Sequence, residues 1–126
     1  VNDTFGHVAG DAVLVEASRR YRAAIRNDDV LARFGGEEFA VLLPETDLET
    51  AREVAERICR SLAGTPVIHG ETVIPVTISI GAASLDEVPV DGDDPLAQTQ
   101  RTETFLTLTD MKLYEAKHSG RNRVVA

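Results

Sequence analysis

At 126 residues, with 43% apolar and 27% charged side chains, the chain is long enough to bury a core and too apolar to stay disordered. A net charge of −8 excludes broad binding to DNA or RNA, which needs a basic surface to neutralise phosphates. No apolar run approaches the roughly 20 residues of a membrane span, and the first residues lack a signal-peptide pattern, so a cytoplasmic location is the default. The first residue is Val, so the chain reads as part of a longer parent whose anchoring to a membrane is left open. The one cysteine, Cys59, excludes an internal disulfide and reads as core filler.

Leu14, Ala17, Tyr21 and Ile25 recur at helical spacing within Gly10 to Arg26, with Glu16, Arg19 and Arg20 on other faces, which predicts an amphipathic helix. Val30 to Phe34 and Phe39 to Leu43 flank Gly35-Gly36 and predict a β-hairpin, because glycine supplies the positive φ that tight turns demand. Thr46 and Glu49 form a capping box ahead of Leu48, Ala51, Val54, Ala55, Ile58 and Leu62, predicting a second helix to about Gly64.

Val73 to Ala83 is rich in β-branched residues and predicts one long strand ending at Gly81, with Pro75 tolerable near its start. Ser84 to Thr102 turns polar and acidic and carries Pro89 and Pro95, which predicts a solvated loop; its carboxylates do not have EF-hand spacing. A last helix is predicted over Phe105 to His118, then a short strand at Val124-Val125. The order implies an α+β fold, a mixed or antiparallel sheet flanked by helices, and one more strand before Asn2 would balance it.

Adjacent carboxylates at a hairpin tip repel each other, so Gly35-Gly36-Glu37-Glu38-Phe39 calls for a chemical reason. Glycines let a phosphate approach the backbone, and a carboxylate beside them can hold Mg²⁺ against that phosphate. The alternative is a charged edge turn. Lys117 and Arg121 straddle the end of the last helix, where they either bind phosphate or complement the helix C-terminus. Asp11 near a helix start has an equally plain electrostatic role.

The pentapeptide resembles the signature of the GGDEF family in its Glu-Glu form. Asn2-Asp3-Thr4-Phe5-Gly6-His7 with Gly10-Asp11, Thr77 to Gly81, and Asp110, Leu113-Tyr114, Ala116-Lys117 and Gly120-Arg121-Asn122 resemble the family's other motifs in order and spacing. The resemblance implies a nucleotidyl-cyclase-like fold with a ferredoxin-like core. It also implies a homodimeric diguanylate cyclase that joins two GTP molecules into cyclic di-GMP with Mg²⁺ or Mn²⁺ and is inhibited by product. It further implies an upstream sensor or receiver domain, while the net charge of −8 leaves no nucleic-acid partner expected.

Residue by residue, the resemblance makes Glu38 the metal ligand and Glu37 a base or transition-state stabiliser at the 3′-hydroxyl. Asn2 and Asp11 become guanine readers, Gly35 and Gly36 the phosphate approach, and Lys117 and Arg121 the phosphate pair. Arg26 and Asp29, an Arg-x-x-Asp separated from Gly35 by five intervening residues, become the inhibitory product site with Arg57. The family places a strand with a metal-sharing aspartate before Asn2, so the chain is read as a 1–126 domain lacking its first strand, weak or inactive alone. The other reading is a degenerate domain that senses GTP or cyclic di-GMP without making it.

Overall fold

A computed structural model describes residues 6–90 and 92–126. They form, in chain order, α1 (His7–Ala24), β1 (Val30–Gly35), β2 (Glu38–Leu42), α2 (Leu48–Gly64), β3 (Val67–His69), β4 (Thr72–Ile74) and β5 (Ser79–Gly81). A 3₁₀ turn (Leu85–Glu87), α3 (Pro95–His118) and β6 (Arg123–Val125) follow. The α+β class holds. Among the described residues the strands pair as three two-stranded sheets, β1 with β2, β3 with β4, and β5 with β6, where one four-stranded sheet was expected. No described helix is long and apolar enough to cross a membrane. The described residues group into two compact units. One runs to Glu45 and resumes over Arg57–Ile78; the other comprises Thr46–Glu56 and Ser79–Ala126.

In the first unit, α1 buries Ala9, Val13, Ala17 and Tyr21, a stripe at four-residue spacing. Ala17 and Tyr21 are buried as predicted, whereas Leu14 is only half-buried and Ile25 falls beyond the helix, in extended backbone, so the face continues through Val13 and Ala9 instead. Ala9 and Val13 pack with Val67 and Ile74. Those two are cross-strand partners in the β3–β4 hairpin, so period-two alternation turns Ile68 and Val73 outward, 70% and 57% exposed.

The hairpin replaces the first part of the predicted long strand. Gly70 takes φ 62° at its two-residue turn, and Pro75, which has no N–H to donate, opens an irregular stretch before β5. On α2 the buried residues Ala55, Ile58, Cys59 and Leu62 follow i, i+3, i+4, i+7 spacing. Cys59 fills the core, its Sγ 3.7 Å from the Ile78 carbonyl. Helix α2 is capped one residue later than predicted: Asp47 Oδ1 accepts the Thr50 N–H at 2.8 Å, and this hydrogen bond holds its carboxyl below the usual range.

Arginines close the C-terminal ends of both helices. The Arg20 guanidinium, on a side chain only 12% exposed, donates to the carbonyls of Ser61, Thr65 and Pro66 at 3.2, 2.5 and 3.3 Å. In return, Arg57 Nη2 on α2 donates to the Ala24 carbonyl at 2.7 Å. These carbonyls lack helical partners, so Arg20→Met is expected to cost about 2 kcal/mol. Thermal unfolding should show a fall of roughly 8 °C in Tm, and an unchanged Tm would show that water replaces the arginine without loss.

In the second unit, β5 and β6 pair in parallel, Ser79 opposite Arg123 and Gly81 opposite Val125. Parallel neighbours need a crossover, and α3 supplies it. Helix α3 begins at Pro95, ten residues before the predicted Phe105. Asp94 is its N-cap, accepting the Ala97 N–H at 2.7 Å, and Pro95 sits in the first turn, where a missing N–H costs nothing. Ala116 is fully buried on α3, and Gly81 lies against the α3 backbone: a Cβ there would be 2.3 Å from Leu113 N and 2.6 Å from the Thr109 carbonyl oxygen.

The 3₁₀ turn is held by a capping box, with Ser84 N–H donating to Glu87 Oε2 at 2.7 Å, and by Lys112 Nζ at 2.8 Å from Glu87 Oε1. The Lys112 hydrogen bond is the main cause of the lowered Glu87 pKa. A carboxyl whose pKa drops on folding stabilises the fold above its unfolded value and loses that contribution as pH falls through the folded one. Glu87→Gln should therefore flatten the acid limb of the pH–stability curve below the ordinary glutamate range and leave the neutral region's slope unchanged. An identical acid limb in both proteins would dismiss this latch as a contributor.

Candidate active site

The signature lies on the β1–β2 hairpin. Val30 pairs with Leu42, Leu31 with Val41, Ala32 with Ala40 and Arg33 with Phe39, after which the register shifts so that Gly35 opposes Glu38. Phe34 is thus the extra residue of a β-bulge, 69% exposed. Gly36 and Glu37 form the two-residue turn. Gly36 takes φ 53° and Glu37 is not among the residues with positive φ, the pattern of a type II′ turn, which demands glycine at its first central position. Gly35, at φ 143°, has open space where a Cβ would sit, as does Gly36. The backbone at the tip is therefore open to a bulky anion.

Glu37 and Glu38 are both exposed at this tip, Glu37 in the turn and Glu38 as the first residue of β2. Arg33 reaches the same turn: its Nε and Nη2 both donate to the Gly36 carbonyl, at 3.0 and 2.7 Å. The hairpin is tied to α1 through Phe39, whose ring meets Tyr21 edge-on at 5.2 Å and 72°. Burial pushes the Tyr21 hydroxyl up to about 12, so this contact stays neutral across the ordinary pH range. Asp11 lies on the same helix, exposed, beyond its first turn. Asn2 lies outside the described residues.

The structure brings Arg26, Asp29 and Arg57 to one place, the chain just after α1. Asp29 Oδ2 accepts the Arg26 backbone N–H at 2.7 Å, and its Oδ1 lies 3.4 Å from Arg26 Nη2. The Asp29 side chain is only 2% exposed whereas that of Arg26 is 61% exposed. Arg26 also donates to the Pro44 carbonyl at 3.3 Å, next to the end of β2, while Arg57 holds Ala24 two residues upstream.

Lys117 and Arg121, in the second unit, bracket the C-terminus of α3. The helix ends with a six-to-one hydrogen bond of the Schellman kind, Arg121 N–H donating to the Ala116 carbonyl at 3.0 Å, and Gly120 takes φ 128°. Arg121 and Asn122 follow at φ 60° and 47°, two consecutive non-glycine residues in the left-handed region. Such backbone costs on the order of 1 kcal/mol or more per residue and is concentrated where function fixes it. A surface depression of about 350 Å³ on α3, lined by Thr107, Asp110, Met111 and Tyr114, includes none of the predicted site residues.

Among the described residues no group of three or more His, Cys, Asp or Glu is placed to hold a metal ion. The donor set at the hairpin still fits Mg²⁺ or Mn²⁺. These are hard cations that take carboxylate oxygen, and Mg²⁺ commonly uses only one or two protein carboxylates, completing its shell with water and substrate phosphates.

Comparison with known proteins agrees with the signature. The family model described as "Diguanylate cyclase, GGDEF domain" matches residues 1–123. The response regulator PleD of Caulobacter vibrioides is 43% identical over 127 residues, covering 99% of this chain and 26% of PleD. Diguanylate cyclase A of Treponema denticola is 40% identical, covering 98% of this chain and 31% of that protein. The chain thus spans about a quarter to a third of the length of these relatives.

Among solved structures, the GGDEF domain of YfiN from Pseudomonas aeruginosa superposes with a TM-score of 0.79 at 35% identity, covering 98% of this chain and 71% of that one. The active GGEEF domain of a diguanylate cyclase from Vibrio cholerae gives 0.69 at 31% identity, covering 98% and 72%. A matching family model over almost the whole sequence, with the Gly-Gly-Glu-Glu-Phe hairpin intact, means that the chain belongs to the GGDEF family of diguanylate cyclase domains.

Proposed function

We propose that this domain catalyses the condensation of two GTP molecules into cyclic di-GMP, with release of two pyrophosphates, as one half of a homodimer. In each half-reaction the 3′-oxygen of one GTP forms a bond to the α-phosphorus of the other, the bond from that phosphorus to the pyrophosphate breaks, and the hydroxyl proton is lost. The observation that carries the reading is the signature turn, with two adjacent carboxylates beside two glycines that leave the backbone open. Glu38 would hold a divalent cation, Mg²⁺ or Mn²⁺, which supplies electrostatic stabilisation of charge at the transferring phosphoryl group. Glu37 accepts or orients the 3′-hydroxyl proton. Gly35 and Gly36 admit the phosphates, Lys117 and Arg121 offset their charge, and Asn2 and Asp11 read guanine through its N–H donors and carbonyl acceptor.

Product inhibition is assigned to Arg26, Asp29 and Arg57. The exposed Arg26 guanidinium presents a planar fork to guanine or phosphate, and Asp29 preorganises the turn that carries it. A sensor or receiver domain in the parent protein would set how two such domains meet.

The test is incubation of the full-length protein with GTP and Mg²⁺, following cyclic di-GMP by chromatography beside Glu38→Ala. Product from the parent protein alone supports the cyclase. No product, together with cyclic di-GMP binding that Arg26→Ala abolishes, would replace it with a receptor domain.

A further inference from the structure

The signature turn has a weakness that its sequence does not remove. Type II′ and type I′ turns differ by a flip of the central peptide, here Gly36–Glu37, and the flip reverses the sign of φ at the second central residue. Glycine at the first position permits both forms. Glutamate at the second resists positive φ only modestly, so an open, exposed turn of this composition has little of its own to fix the direction of Glu37.

The Gly36 carbonyl is the oxygen of that central peptide, and Arg33 grips it with two donors, Nε at 3.0 Å and Nη2 at 2.7 Å. The bulge makes this reach possible. In a regular ladder closed by Gly36-Glu37, Arg33 would stand opposite Ala40; the extra residue at Phe34 brings it opposite Phe39, one step nearer the tip. Fork and bulge together explain why an arginine stands three residues before Gly36. Lysine, a single point charge on a flexible stem, cannot present the same planar pair of donors.

We infer that Arg33 is a positioning residue for the reaction: by holding the Gly36 carbonyl it keeps the Gly36–Glu37 peptide from flipping and so fixes the directions in which Glu37 and Glu38 present their carboxylates. The inference rests on the cyclase reading for its kinetic consequence, while its structural half stands apart from activity. It acts on the transition state more than on GTP binding, because the misdirected groups are those of the reacting centre.

The experiment compares Arg33→Lys and Arg33→Ala with the unaltered full-length protein, supplied with GTP and Mg²⁺. Arg33→Lys is expected to lower kcat roughly tenfold or more while KM for GTP stays within about twofold, since small misplacements at a reacting centre cost about that much or more. Alongside, the three-bond HN–Hα coupling and amide exchange of Glu37, measured by NMR, should report a second turn conformation in both variants and a single one in the unaltered protein. Unchanged kcat in Arg33→Lys would overturn the inference, as would a rise in KM with kcat intact, which would place the guanidinium on the nucleotide. If the unaltered protein makes no cyclic di-GMP, the cyclase reading fails by itself. The Glu37 coupling then decides alone, and identical spectra in all three proteins would overturn the role of Arg33.

Discussion

Gly81→Ala is expected to unfold the β5–α3–β6 unit at moderate temperature. The backbone of Gly81 does not sit in the left-handed region, so the cost is one of space: its new methyl would lie 2.3 Å from Leu113 N, 2.6 Å from Thr109 O and 2.8 Å from Leu113 Cα. All three are backbone atoms of α3, and a helix backbone cannot swing aside as the end of a lysine can. Relief requires α3 to lift off the strand, which opens contacts around the fully buried Ala116. Overpacking in a core typically costs about 1–3 kcal/mol, and this site belongs at or above the upper end. Against a total of roughly 5–15 kcal/mol, that is a fall in Tm of at least about 10 °C, measured by circular dichroism. A Tm within about 2 °C of the parent would show that helix and strand slide apart freely.

Glu38→Ala should abolish most turnover while leaving the fold intact, the reverse of the Gly81 case. Glu38 is exposed and heads β2 at a strand end, so truncating it removes little packing. On the cyclase reading it is a metal ligand, and a site built on one or two protein carboxylates loses a large share of its charge with either. Changes one shell further out already cost about 10–100-fold, so a loss of at least roughly 100-fold is expected at saturating GTP. Glu38→Asp at raised Mn²⁺ should recover part of it, because a shorter carboxylate still offers oxygen to a hard cation. Full activity in Glu38→Ala would move the metal away from the hairpin.

The local elements were legible where their chemistry was local. Gly35-Gly36 between two short apolar-rich runs announced the β1–β2 hairpin, and the spacing of Ala55, Ile58 and Leu62 announced α2. The same rules, applied to Val67 through Ile74 around Gly70, would have found the β3–β4 hairpin; the long β-branched run after it drew the reading toward one strand. Asp94-Pro95 was read as loop punctuation, although a capping residue followed by proline opens a helix as readily as it ends one.

The long-range pairing of β5 with β6 was not legible. Ser79 and Arg123 meet only because α3 carries the chain back, and nothing within either strand encodes its partner. The site divides in the same way. The glycines, carboxylates and Arg-x-x-Asp stood out as motifs, whereas Arg33 did not, because its meaning depends on a bulge that becomes visible only once the register is known.

The crossed arginines of α1 and α2 have a consequence for folding cooperativity. Each helix borrows from the other the donors that finish its last turn, Arg57 to Ala24 and Arg20 to Ser61, Thr65 and Pro66. Fraying at either end therefore strips the partner helix of its cap. The two ends, about 40 residues apart in the chain, open and close as a single unit instead of as two independent termini.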